Sequence, residues 1–232
     1  MTRGIIIAGN ESSLFTAIGG EAAKRVKSFA SVPIQSRFTE TGPVLSETET
    51  AGGAIPLSWN PASAISARTL VLAAENRLKK INDAILICSP PAVFKNADAL
   101  TPKEIEILVD DHIKGWFFLI RELILYFRNA GTGLLALVAP DISPGGERSG
   151  KSAAGRNNQL DLLGPSAAAS FRSHSQSIVA SLSGEPYQVM GFTGSEAGAE
   201  EEFASWLFKI IDEAAPKNSG RWHKYSKRGF FR

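Results

Sequence analysis

At 232 residues and 44% hydrophobic content the chain has enough material for one full core, so a single globular domain is expected. The lone cysteine, Cys88, excludes an intrachain disulfide; Met1-Thr2-Arg3 before a short apolar run is no signal peptide, and no apolar run reaches the ~20 residues that span a bilayer, so a cytoplasmic protein off the membrane is expected. The net charge of +2 is uneven, because Lys217, Arg221, Lys224, Lys227, Arg228 and Arg232 face no acid within 217–232 while 19 basic and 23 acidic residues share the rest. One domain over 1–216 is therefore expected, with 217–232 as its basic tail or last strand.

Gly4-Ile5-Ile6-Ile7-Ala8 is a β-branched run ending at Gly9, the way a first parallel strand enters a phosphate-binding turn. The turn that follows, Asn10-Glu11-Ser12-Ser13-Leu14-Phe15, lacks the later glycines that let backbone N–H groups approach a pyrophosphate. Glu11 adds negative charge there and Phe15 adds bulk. A helix is expected over 14–29, weakened by Gly19-Gly20, with strands at 32–35 and 54–58 on either side of a polar, Thr- and Glu-rich connection. Ser36-Arg37 stands where a ribose-binding acid would, so any bound dinucleotide would be the phosphorylated form, NADP, with Arg37 on its extra phosphate. The simpler reading of Arg37 is a solvated loop charge. Asn60-Pro61 is expected to cap a helix running to about Ile81, and 84–87 reads as a fourth, buried strand.

Thr101, Pro102 and Glu104 spell a capping box with proline at the first helical position, opening a helix over 101–129 that is ~40 Å long. From Trp116 to Phe127 only Arg121 and Glu122 interrupt its apolar surface, so a second face needs cover beyond the sheet. Gly131 and Gly133 bracket its end, and 133–139 reads as a strand covered on both faces. The next stretch, 141–158, is a loop holding Gly145-Gly146-Glu147-Arg148-Ser149-Gly150-Lys151-Ser152, a letter-for-letter match to a phosphate loop. Such a loop must run straight into a helix, and Ala153-Ala154-Gly155-Arg156-Asn157-Asn158 is a poor first turn. A surface loop is the simpler expectation, with nucleotide binding through 145–152 as an alternative.

A helix of small and polar residues is expected over 165–182, a strand over 187–192, and a helix over 199–214 whose Glu200, Glu201 and Glu202 complement its dipole. Trp222, Tyr225, Phe230 and Phe231 among the tail's cations suit either an acidic partner or, more simply, packing as a last strand; nucleic acid is not expected. Strict alternation of strand and helix predicts a doubly wound parallel sheet, Rossmann-like, in three α/β/α layers.

Five stretches in this order resemble the short-chain dehydrogenase/reductase family: Gly4 to Phe15 (first strand and glycine turn), Asn82 to Pro90, Asp110 to Gly115, Gly133 to Pro140 and Pro165 to Leu182. The resemblance implies that fold, NAD(P)-dependent hydride transfer, and a homo-dimer or tetramer built on the 101–129 and 165–182 helices. Matched position by position, the glycine turn keeps Gly9, with Asn10, Ser12, Ser13 and Phe15 as its remnant. The family's Asn-Asn-Ala-Gly is Ile87-Cys88-Ser89-Pro90. His112 stands for the structural asparagine, Pro140 for the catalytic serine, Pro165 for the tyrosine and Ala169 for the lysine.

Independently of that match, no tyrosine lies between Tyr126 and Tyr187 and no lysine between Lys151 and Lys209. A tyrosine acid/base with a lysine lowering its pKa therefore has no actors. His112 and His174 read as packed histidines, and Cys88 as a small core residue without a base. No metal is expected and no cofactor, or NADP if there is one. The expected function is a non-catalytic oligomeric binding or scaffolding subunit with a protein partner; a divergent NADP-linked oxidoreductase is the alternative.

Overall fold

In a computed structural model, described for residues 3–34, 53–140, 161, 163–194, 198–213 and 219–226, strands and helices alternate except at the second and third strands, which follow one another among the described residues. The strands are β1 (Ile5–Asn10), β2 (Phe29–Ile34), β3 (Ala54–Pro56), β4 (Asp83–Ile87), β5 (Leu134–Ala139), β6 (Gln188–Thr193) and β7 (Arg221–Lys224). They form one seven-stranded sheet in the order β3-β2-β1-β4-β5-β6-β7. Every pairing is parallel, with Ile6 opposite Ala30 on one side and opposite Ala84 on the other. The helices are α1 (Ser13–Ala23), α2 (Ala64–Leu78), α3 (Pro102–Val109), α4 (Gly115–Ala130), α5 (Leu163–Ser181) and α6 (Glu200–Asp212). This is a Rossmann-like, three-layer α/β/α fold.

Because successive strand residues point to opposite faces, β1 can be apolar at every step only if both faces are covered. Ile6 and Ala8 enter a core with α2, α4 and α5, through Leu70, Trp116, Leu123 and Phe171. Ile5 and Ile7 enter a second core with α1 and α6, through Ile18, Phe203 and Leu207. At ~25 cal/mol per Å² of apolar surface, these two layers are the main stabilising term.

The local signals act as expected at several ends. Thr101 Oγ1 accepts from the Glu104 N–H at 3.3 Å and Glu104 Oε2 accepts from the Thr101 N–H at 2.9 Å, closing the capping box. Gly131 ends α4 in the left-handed region at φ 65°. Elsewhere the boundaries differ. The first helix stops at Ala23 rather than Phe29, because the Phe29 N–H bonds to the Gly53 carbonyl and starts β2 beside β3. Asn60 makes a local turn to the Ala62 N–H, and Ser63 is the residue that caps α2.

The helix expected over 101–129 runs without a break in helical backbone from Pro102 to Ala130 but carries a π turn, Asp110–Lys114, in which the Gly115 N–H reaches back to the Asp110 carbonyl. Gly115 is required there, since a Cβ would stand 2.5 Å from Pro61 Cβ, where α4 crosses the approach to α2. Among the described residues no helix is long and apolar enough to cross a membrane.

Candidate functional site

A doubly wound sheet opens a crevice where the chain changes direction, at the carboxyl ends of the two strands that diverge. Here those are β1 and β4: β2 and β3 lie to one side and β5, β6 and β7 to the other. Gly9 lies near the end of β1, opposite Ile87 at the end of β4. The Phe15 ring fills that junction. A Cβ on Gly9 would sit 2.9 Å from the Ile87 carbonyl oxygen and 3.2 Å from Phe15 Cδ2. Phe15 is half-buried and packs with the α1/α6 core, beneath the start of α1.

Above the ring, Ser12 caps α1 by accepting from the Phe15 N–H at 3.2 Å. Ser13, the first helical residue, donates its hydroxyl to Glu200 Oε1 at 3.2 Å, across 187 residues of sequence. Glu200 opens α6, which lies beside α1, and its carboxyl is held below the usual range by N–H groups of Glu200 and Gly198 and by Ser13. Asn10 closes the β1 side of the turn, buried, with an Oδ1 that accepts no hydrogen bond. Glu11 is exposed at the rim.

The positions expected from the family's chemistry do not assemble a catalyst. Pro140 follows β5, and Pro165 and Ala169 both lie exposed on α5. Cys88 is buried, its N–H bonded to the Val138 carbonyl, and burial drives its thiol pKa far above the range in which a thiolate forms. His112 and its neighbour Asp111 are buried in the π turn, against α5. His174 packs on Phe117 with ring centroids 4.0 Å apart and the rings tilted by 32°, and burial lowers its pKa. Among the described residues, no group of His, Cys, Asp and Glu side chains is placed to hold a metal. Arg37 and the 145–152 loop lie outside the described residues.

Two contacts had no counterpart in the sequence pattern. Asp161 Oδ1 accepts from the Gly164 N–H at 2.9 Å and the Val93 N–H at 3.2 Å, tying the segment after β4 to the start of α5. The carboxylate of Glu200 reaches Ser13 only because α1 and α6 pack side by side. Of the tail aromatics, Trp222 and Tyr225 are taken up by packing; Phe230 and Phe231 lie outside the described residues. Trp222 Nε1 donates to Thr193 Oγ1 at 2.7 Å, and Tyr225 meets Phe203 and Trp206 with centroids 5.7 and 5.4 Å away.

No protein-family model matches the chain, and no curated protein does. Solved structures do. An actinorhodin polyketide ketoreductase, a variant crystallised with NADPH, superposes with a TM-score of 0.70 at 13% identity over 96% of this chain and 95% of its own. A short chain dehydrogenase from Mycobacterium smegmatis gives 0.70 at 11% identity, over 98% and 94% of the two chains. A 3-ketoacyl-(acyl-carrier-protein) reductase from Brucella melitensis, complexed with NADH, gives 0.68 at 14% identity over 96% of each. The chain has the fold of the short-chain dehydrogenases/reductases.

Proposed function

We propose that this chain of short-chain dehydrogenase/reductase fold carries no hydride chemistry and works as an oligomeric binding or scaffolding subunit. The observation that carries the proposal is the junction of β1 and β4, where the side chain of Phe15 packs against Gly9 beside Ile87. A dinucleotide's pyrophosphate needs bare backbone at that turn. The exposed Pro165 and Ala169 on α5 add that no tyrosine and lysine stand ready to move a proton there. A divergent NADP-linked oxidoreductase is the second reading. It draws its support from the NADPH and NADH complexes among the structures this fold resembles.

The scaffolding half of the proposal rests on the outer face of the long helix. Ile105, Val109, Phe117 and Leu125 recur there at helical spacing, 43%, 40%, 40% and 37% exposed. The neighbouring α5 presents mainly small residues outward, Ala169, Ser173, Ser177 and Ala180 among them, which would let a second helix approach closely. A second copy of the chain is the occupant that presents the same apolar stripe in return, as a two-fold interface requires. Sedimentation tests this directly. The wild-type protein should sediment as a dimer or tetramer at micromolar concentration, and Phe117→Glu, with a charge on the exposed side of α4, should sediment as a folded monomer. A wild-type monomer under those conditions would contradict the scaffold reading.

A further inference from the structure

We propose that His174 makes the docking of a second copy on the α4–α5 face acid-sensitive: a neutral ring joins Phe117 in the covered patch, and a protonated ring drives the two copies apart. This rests on the reading of that face as the surface through which the chain self-associates, and it adds what regulates it.

The two rings form one surface feature. Phe117 sits on the outer side of α4, 40% exposed, and His174 on α5 is half-buried, with centroids 4.0 Å apart and the rings tilted by 32°. A partner that covers the open side of Phe117 therefore covers the imidazole as well. The face otherwise suits a copy of itself. Over Leu163–Ser181 the ionisable side chains are Arg172 and His174, and Arg172 lies over the Trp222 ring at 5.8 Å, towards β7. With His174 neutral, two such helices brought together oppose mainly small, uncharged residues.

A proton on His174 has no acid to answer it. Burial accounts for its lowered pKa, and no carboxylate pulls the value back up. On α4, Arg121 is paired with Glu122 and Arg128 with Glu185. On the π turn, Asp110 is paired with Lys114, while Asp111 and His112 are buried. On α3, Glu104 is paired with Lys95, and Lys103 and Glu106 are exposed. β5 and β6 carry no charged side chain, and β7 brings His223 and two cations, Arg221 and Lys224. Covering an imidazolium in such surroundings is strongly unfavourable, and a two-fold dimer covers two of them. A cation–π contact with Phe117 does not alter this, because it exists before docking as well as after.

The His174 pKa is already below its ordinary value in the single protomer, and a covering copy lowers it further. Docking is therefore complete at neutral pH and weakens as pH falls through the protomer's value. Each dimer releases up to two protons in that window, so the dissociation constant rises by up to ~100-fold per pH unit.

Sedimentation equilibrium at pH 7.5 and pH 5.0, under matched ionic strength, would compare wild type with His174→Gln and His174→Phe, neither of which titrates. The wild-type dissociation constant should rise by about 10-fold or more between the two conditions, and that of each variant by less than about 3-fold. A wild-type constant that does not move, or variants that move as far as wild type, overturns the proposal and leaves self-association standing. A wild-type monomer at pH 7.5 overturns both. Should the variants fail to associate, proton NMR of the wild-type protein decides, since its three histidines are few enough to assign one by one. The His174 ring should titrate at a lower pH above the dissociation constant than below it; the same value at both concentrations overturns the proposal.

Discussion

Gly133→Ala should cost about 3 kcal/mol or more and lower the melting temperature by roughly 10 °C. Gly133 sits at φ 138°, a region essentially closed to residues with a Cβ, where occupancy costs of order 1–3 kcal/mol. The added methyl would also overlap the ring of Phe127, which is fully buried and stacked on Tyr187 with centroids 5.9 Å apart. Neither side can retreat, because the Gly133 carbonyl accepts from the Gln188 N–H at 2.8 Å and so pins the start of β5 to β6. Gly131 provides the control. Its φ of 65° is one asparagine adopts and nothing lies within 4 Å of its would-be Cβ, so Gly131→Asn should cost under about 1 kcal/mol. Equilibrium urea unfolding of both variants checks this; a Gly133→Ala protein as stable as wild type would mean the α4–β5 turn is built differently.

Arg3→Ala should destabilise the protein by about 2 kcal/mol at pH 7, through the charge it leaves behind. Asp83 begins β4 and is buried, and the Arg3 guanidinium bonds its carboxylate and that of Asp212 on α6. Arg25 holds Asp212 at 2.9 Å from the other side and also bonds Glu21, which Lys24 reaches at 2.8 Å. Stranding a fully buried charge costs about 3–5 kcal/mol; the lower figure applies because the Arg3 side chain is 32% exposed and water can reach the site.

The pH dependence has a definite sign. Burial raises the Asp83 pKa despite Arg3, so this residue favours folding below its unfolded pKa and that help is lost as pH rises through the folded value. Removing Arg3 raises the folded pKa further. The variant's deficit should therefore be largest at neutral pH and shrink towards pH 4. Asp212 and Glu21 act in the opposite direction, because hydrogen bonds from their cations hold both pKa values down and their support disappears in acid. A deficit that stays constant from pH 4 to pH 7 would show that Asp83 is not the stranded group. Arg3→Met with Asp83→Leu, which removes both charges, should recover most of the loss.

Much of the fold was legible because its signals are short-range. β1 opens on three consecutive isoleucines, Ile5 to Ile7, because both faces of the sheet are covered. The Thr101–Glu104 box and Gly131 fix two helix ends from within a few residues. The misplaced boundaries were decided at longer range. Phe29 continues an apolar helical pattern, and only the Gly53 carbonyl, 24 residues on, draws it into a strand. The π turn has no sequence signature of its own; it accompanies a glycine that lets α4 pass close to Pro61. At the site, the bulk of Phe15 in a glycine turn could be read directly. The hydrogen bond from Ser13 to Glu200 could not, since as a sequence feature Glu200 is one of three acids at a helix start.

The measurement that bears most directly on the closed junction is calorimetric titration of the unmodified protein with NADPH and with NADH, followed by thermal melts at ~1 mM of each. With Phe15 packed at the β1–β4 junction, neither nucleotide should give a saturable heat or move the melting temperature by more than about 1 °C, because a ligand that does not bind the folded state cannot stabilise it. A micromolar dissociation constant for either nucleotide would contradict the account and put oxidoreductase chemistry ahead of the scaffold.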